Sequence, residues 1–196
     1  MTHIIHPNNI EQFLLENYFT NLMDMILHAK KFTLRPVVLT DAASIALYAN
    51  NSKISQNVRD AFPNLYSLED AVKFIEMTIL EETNLQTHFT IDINGAAVGI
   101  IGLHSKTDVY RKNMEIGYWL GESFWNQGIL TDTVKLVVTY AFSHFEICRI
   151  YAGVFSSNPA SMRVLEKADF TCEAVFKNAV FKTDWLLDEY IYSITK

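Results

Sequence analysis

The chain has 196 residues, 49% of them hydrophobic and 19% charged, with a formal net charge of −6. This length and balance suit one domain with a sizeable core and exclude a disordered chain, and the acidic balance excludes nucleic acid as the main partner and disfavours an anionic membrane surface. Residues 1–7 lack a secretory pattern, no apolar run approaches the ~20 residues of a membrane span, and Cys148 and Cys172 sit at no metal or redox spacing, so the expected location is the cytoplasm and the expected cysteines are buried, reduced thiols.

Residues 8–30 are expected to form a helix. Asn9 and Gln12 resemble a capping box, and Ile10, Phe13, Leu14, Phe19, Leu22, Met25, Ile26 and Ala29 recur at three- and four-residue steps. Its broad apolar face must pack on the rest of the chain or on a second copy in a homodimer. Residues 1–30 are therefore read as a helical extension and residues 31–196 as the domain. Residues 32–37 read as a strand ending near Pro36, and Thr40 and Asp41 cap a helix to about residue 50. After a polar stretch, Ser67-Leu68-Glu69-Asp70 opens a helix to about residue 82, with Ala71, Phe74, Ile75 and Ile79 on one face.

From Thr87 the period changes to two. Strands 89–93 and 97–103 are joined by the hairpin turn Asn94-Gly95. A strand over 115–120, a helix over 130–145 and a strand over 149–154 follow. Asn158-Pro159 opens a helix to about residue 167, and strands 170–181 and 185–194 end the chain. The order is β-α-α-β-β-β-α-β-α-β-β. The step from Tyr118 to Ile150 predicts a right-handed parallel crossover in an otherwise antiparallel sheet. The expected fold class is α/β (α+β): a mixed, mostly antiparallel sheet of six to seven strands with helices on both faces.

The most informative stretch is 114–131, a buried strand, a turn and a glycine-containing loop that opens a helix. A helix N-terminus carries unpaired N–H groups and partial positive charge, which suits a phosphate or pyrophosphate. No Gly-Lys-Ser/Thr follows Gly128, which disfavours a P-loop nucleotide enzyme. The histidines, at 3, 6, 28, 88, 104 and 144, show no ligand spacing, and no metal is expected.

Leu34-Arg35-Pro36, Glu115-Ile116-Gly117-Tyr118-Trp119-Leu120, Trp125-Asn126-Gln127-Gly128-Ile129-Leu130-Thr131 and Asn158-Pro159-Ala160-Ser161 with Leu165-Glu166-Lys167-Ala168-Asp169-Phe170, in this order, resemble the GNAT superfamily of acyl-CoA-dependent N-acetyltransferases. The likeness covers about residues 31–195 and is greatest to the RimJ/RimL-type branch. It implies acetyl-CoA as co-substrate and a primary amine, of a protein N-terminus or a small molecule, as acceptor. It implies that Trp125, Asn126, Gln127, Gly128, Ile129, Leu130 and Thr131 hold the pyrophosphate, mainly through backbone amides. Only Gly128 matches the superfamily's Arg/Gln-x-x-Gly-x-Gly/Ala pattern strictly, and Asn126 stands where glycine is frequent. Backbone groups of Tyr118, Trp119 and Leu120 would line the acyl site, with an N–H near Leu120 stabilising the oxyanion.

By the same resemblance, Glu115 is the general base, directly or through water; the other reading is a solvent-facing strand residue. Glu122 is a weaker candidate. Asn158 would contact the pantetheine arm, while as a residue before Pro159 it also reads as an ordinary N-cap. The tyrosine often found seven residues later is Leu165 here, so Ser161 is assigned the proton to the leaving thiolate, against the plainer reading of a first-turn serine. Asp169 departs from a usual glycine. Residues 52–66 and 176–185 are expected to select the acceptor. A non-catalytic acyl-CoA sensor with the same fold is the alternative.

Overall fold

The computed structural model describes residues 25–80 and 86–196. Its strands are β1 (Leu27–His28), β2 (Thr33–Pro36), β3 (Gln86–Ile93), β4 (Ala96–Ser105), β5 (Asn113–Leu120), β6 (Arg149–Phe155), β7 (Thr171–Lys182) and β8 (Trp185–Thr195). Its helices are α1 (Ala42–Ala49), α2 (Ser52–Ser55), α3 (Leu68–Leu80), α4 (Ile129–His144) and α5 (Pro159–Lys167). The strands form one sheet in the order β1-β2-β3-β4-β5-β6-β8-β7. Among the described residues only β5 and β6 pair in parallel; every other neighbour is antiparallel.

Among the described residues the sheet has eight strands where six to seven were expected, because Leu27–His28 is an edge strand and not the end of a helix. Ala29 N–H closes a tight turn on Phe32 C=O at 3.0 Å, so sheet pairing overrides the helical spacing there. Residues 8–24 of the expected helix lie outside the described residues. The polar stretch after α1 contains the single-turn helix α2, capped by the Asn51 side chain, which accepts from Lys53 N–H at 2.9 Å.

The helices cover both faces. One core joins Ile91, Ile101, Met114, Ile116 and Ile150 of the sheet to Val134, Val137 and Leu165 of α4 and α5. The other joins Ala97 and Ile100 to Ile45 of α1 and to Ala71 and Ile75 of α3. α3 begins as its sequence predicts: Asp70 N–H donates to Ser67 Oγ at 3.1 Å, and Ser67 N–H donates to Asp70 Oδ2 at 2.9 Å. Its buried seam then runs through Ala71, Ile75 and Thr78, leaving Ile79 exposed. Thr78 is tolerated inside because its hydroxyl donates to Phe74 C=O at 2.9 Å.

Leu34-Arg35-Pro36 is a structural device. Arg35 donates to Asp41 from Nη1 at 2.8 Å and Nη2 at 2.7 Å, and to Asp92 from Nε at 2.8 Å. Asp41 also accepts from Val38 N–H at 3.1 Å and Thr90 Oγ1 at 3.1 Å, so its carboxylate ties β2 to β3 and does not cap α1. Cys148 and Cys172 are free as expected but exposed, which corrects the expectation of burial: both lie on outer segments beside main-chain carbonyls.

Candidate active site

β5 and β6 pair only through Asn113↔Arg149, Met114↔Ile150 and Glu115↔Tyr151, then diverge. The parity of β5 follows from its other edge. Lys106 N–H donates to Asn113 C=O and Gly121 N–H to Val98 C=O, so odd-numbered residues of β5 turn their amides toward β4. Ile116, Tyr118 and Leu120 therefore aim theirs away from β4: the Glu115↔Tyr151 pair engages the Ile116 N–H with β6, and those of Tyr118 and Leu120 point into the gap, where no strand meets them. The gap opens into a cleft of about 1080 Å³.

The loop before α4 forms one wall. Asn126 (φ 59°) and Gly128 (φ 80°) are both left-handed, and Gly128 is the N-cap of α4. This conformation suits asparagine and glycine among few others. It brings the first amides of α4 to the cleft, with Gly128 C=O accepting from Asp132 N–H at 3.1 Å. Trp125, in the position where the superfamily has Arg or Gln, ties the loop to β5: its Nε1–H donates to Leu120 C=O at 2.7 Å. Lys31 Nζ donates to Gln127 C=O at 2.6 Å and adds a cation beside the loop. Although the whole chain is acidic, Lys53, Arg59, Lys73, Arg163 and Lys167 outnumber Asp70, Glu115 and Glu189 among the charged residues lining the cleft. That local excess suits an anionic ligand.

Glu115 lies at the apex of the gap, mostly buried, and pairs with Lys106 Nζ at 2.6 Å and with Arg59. Burial pushes its carboxyl up, but the Lys106 hydrogen bond and the charges of Arg59, Lys106 and His104 outweigh burial and hold it below the usual range. Glu189 of β8 also faces the cleft, leaning over Gly153 of β6 where a Cβ would collide with it. Glu122 is exposed and holds Asn51 Nδ2 at 2.7 Å and Lys53, which joins the turn after β5 to α2.

On the opposite wall, Asn158 caps α5 by accepting from Ser161 N–H at 3.1 Å. Ser161 Oγ lies 2.9 Å from the Tyr118 hydroxyl. Burial drives the Tyr118 hydroxyl far above the usual tyrosine range, more than the Ser161 hydrogen bond lowers it, so it stays protonated. Leu165, where many relatives carry tyrosine, is fully buried in the core. Asp169 adopts φ 67°, the left-handed backbone for which glycine is the common choice, so the departure leaves the turn intact.

The structure thus brings Glu115, Tyr118, Trp119, Leu120, Trp125, Asn126, Gln127, Gly128, Ile129, Leu130, Thr131, Asn158 and Ser161 to one cleft. Residues 53–66 contribute strongly to its lining, but residues 176–185 do not line it; Lys182 reaches only Asp60, at 2.6 Å. Sequence reasoning missed Arg59, Lys106 and Glu189, and the Tyr118 hydroxyl as a partner of Ser161. Hydropathy carries no signal for pairings that span 56 residues, as Arg59 to Glu115 does.

Comparison with known proteins supplies the family. The description "Acetyltransferase (GNAT) domain" matches residues 31–171. The probable N-acetyltransferase YjcK of Bacillus subtilis (strain 168) is 33% identical over 167 residues, covering 79% of this chain and 88% of its own. The ribosomal-protein-serine acetyltransferase of Escherichia coli (strain K12) is 27% identical over 128 residues, covering 65% of this chain and 71% of its own. RimL, a ribosomal-protein α-N-acetyltransferase solved in complex with coenzyme A, superposes with a TM-score of 0.78 over 87% of this chain and 97% of its own, at 22% identity. A mixed sheet that divides at β5 and β6, a left-handed loop opening a helix beside the gap, and these matches agree, and the chain belongs to the GNAT acetyltransferase family.

Proposed function

We propose that the protein transfers the acetyl group of acetyl-CoA to a primary amine by direct attack in a ternary complex. The observation that carries this reading is the gap between β5 and β6, with inward amides at Tyr118 and Leu120 and the amides of α4 in the same cleft. The pantetheine arm adds to the free edge of β5 as a strand would, and the pyrophosphate sits on the Gly128 loop. The Leu120 N–H meets the carbonyl oxygen as it becomes an oxyanion. The amine nitrogen bonds to the acetyl carbon and its proton passes to Glu115, directly or through water. The C–S bond breaks, and Ser161, supported by the Tyr118 hydroxyl, gives a proton to the thiolate. An acceptor at a protein N-terminus and a small-molecule amine both fit this chemistry. The N-terminal extension is proposed to end before β1 and not at residue 30, since Leu27–His28 pairs with β2 in the sheet of the catalytic domain.

Calorimetric titration with acetyl-CoA, with ATP and NADH as controls, tests the cofactor half. Selective binding supports the reading, and no binding sinks it. Release of free thiol from acetyl-CoA in the presence of an amine tests the transfer half. Glu115→Gln is expected to lower kcat about a hundredfold, within the range for general bases, while the acetyl-CoA Kd changes little. Since the Glu115 pKa is lowered, it is ionised throughout pH 6–9. The rate should therefore rise with pH as the amine deprotonates, near ~8 for an α-amino group. A rate that rises instead through pH 4–6 would assign control to the carboxylate.

A further inference from the structure

Resting on the proposed function and deepening it, we propose that the accepting amine carries an apolar side chain, aromatic or branched aliphatic, that enters a side pocket opened by two facing glycines. His88, Gly102 and Gly117 form one cross-strand row over β3, β4 and β5. Facing side chains on a sheet normally fill the ~5 Å between their Cβ atoms; here two of the three are missing. A Cβ added at Gly117 meets no atom within 4 Å, so the hollow is open. At Gly102 a Cβ would lie 2.6 Å from His88 Cδ2, so the His88 ring occupies that space and forms the pocket's end wall.

The pocket holds about 220 Å³. This is below the ~300–1,000 Å³ of sites for whole small molecules, and fits one side chain. Its rings brace one another. Phe62 lies 4.7 Å from Tyr66 and 6.0 Å from Trp119, centroid to centroid, and Phe74 meets the His88 ring edge-on at 5.8 Å. Among the described residues, no Asp, Glu, Lys or Arg lines it. Burial, with a smaller contribution from His104, lowers the His88 pKa to about 4, so that wall is uncharged at neutral pH. A charged side chain placed there would lose its hydration without gaining a counter-ion.

The pocket is continuous with the cleft through Phe62, His104, Gly117 and Trp119, which line both. Glu115 stands two residues before Gly117 on the same face of β5, ~7 Å along the strand. An amine held at Glu115 therefore directs a neighbouring substituent over Gly117. Acceptors with small or acidic substituents leave the hollow empty or enter it unpaired.

The test uses the full chain with acetyl-CoA and glycinamide, leucinamide, phenylalaninamide and aspartamide. Leucinamide and phenylalaninamide are expected to exceed glycinamide in kcat/KM by about ten- to a hundredfold, as expected for apolar groups in a fitted pocket. In Gly117→Val, whose fold is checked by thermal melting, that ratio should collapse toward one. Equal kcat/KM across the panel, or a ratio unchanged in G117V, overturns the proposal. Quenching of tryptophan fluorescence by the same amines, without acetyl-CoA, separates the two readings. If no amine is acetylated, the proposed function fails; a response to phenylalaninamide that is absent with glycinamide and lost in G117V still sustains the pocket, and no response overturns it.

Discussion

Asp41→Ala should lower folding stability by about 3–5 kcal/mol, the usual cost of removing one partner from a buried ion pair. Asp41 is 4% exposed and accepts two guanidinium hydrogen bonds, one from the Val38 amide and one from the Thr90 hydroxyl. Its loss leaves Arg35 with Asp92 and the Pro36 C=O, and takes the acceptor from the Val38 amide and from the buried Thr90 hydroxyl. For a chain of this size the change corresponds to a fall in Tm of roughly 6–20 °C, measurable by calorimetry; a shift under about 2 °C would contradict this account of the Leu34-Arg35-Pro36 segment. The pH dependence has a definite sign. Burial raises the Asp41 pKa, but its hydrogen bonds and the Arg35 charge lower it more, leaving it below its ordinary value of 3.8. The unfolded chain therefore binds the proton first, and this stabilisation, complete above about pH 5, is lost as pH falls through the folded-state value. His88 acts earlier in the same direction: its folded pKa is about 4 against an ordinary 6.5, so stability already declines as pH falls across that interval.

Gly128→Val should weaken acetyl-CoA binding about a hundredfold. The backbone at this position has φ 80°, and a β-branched residue is an outlier there. Relaxing that strain swings the loop and turns the α4 amides away from the cleft. Charge-assisted hydrogen bonds contribute about 1.5–3 kcal/mol each, so losing two of them is enough for the expected change. The Cβ itself would meet nothing within 4 Å, so the effect comes from backbone conformation and not from crowding of the core. Calorimetry at constant pH gives the ratio of Kd values, and a Kd within threefold of the parent would place the pyrophosphate elsewhere.

Local signals in the sequence read well. Asn94-Gly95 makes its hairpin with φ 55° and 83°. Ser67 and Asp70 cap α3, and the alternation from Thr87 onward gives β3 and β4. The site backbone was legible for the same reason: Gly128 and Asn126 announce a left-handed loop before an apolar helix. What escaped is set by long-range placement. Met25, Ile26 and Ala29 carry helical spacing, yet it is Met25, Leu27 and Ala29, two residues apart, that pack on the core, because β2 offered pairing. Ile79 lost its core position to Thr78 because seven residues past Ala71 return to within ~20° of the seam, whereas eight overshoot it by ~80°. The cations that hold Glu115, the hydroxyl contact between Tyr118 and Ser161, and the hollow at Gly102 and Gly117 exist only once separate strands are brought into register.

The divergence of β5 from β6 leaves every second amide of β5 beyond Ile116 without a strand partner. In the free protein, Tyr118 and Leu120 should therefore exchange hydrogen for deuterium much faster than Gly117 and Trp119, whose amides are turned toward β4. A ligand lying along that edge would remove the alternation. The chain thus carries its own residue-resolved record of occupancy, readable by exchange measurements before any acceptor is identified.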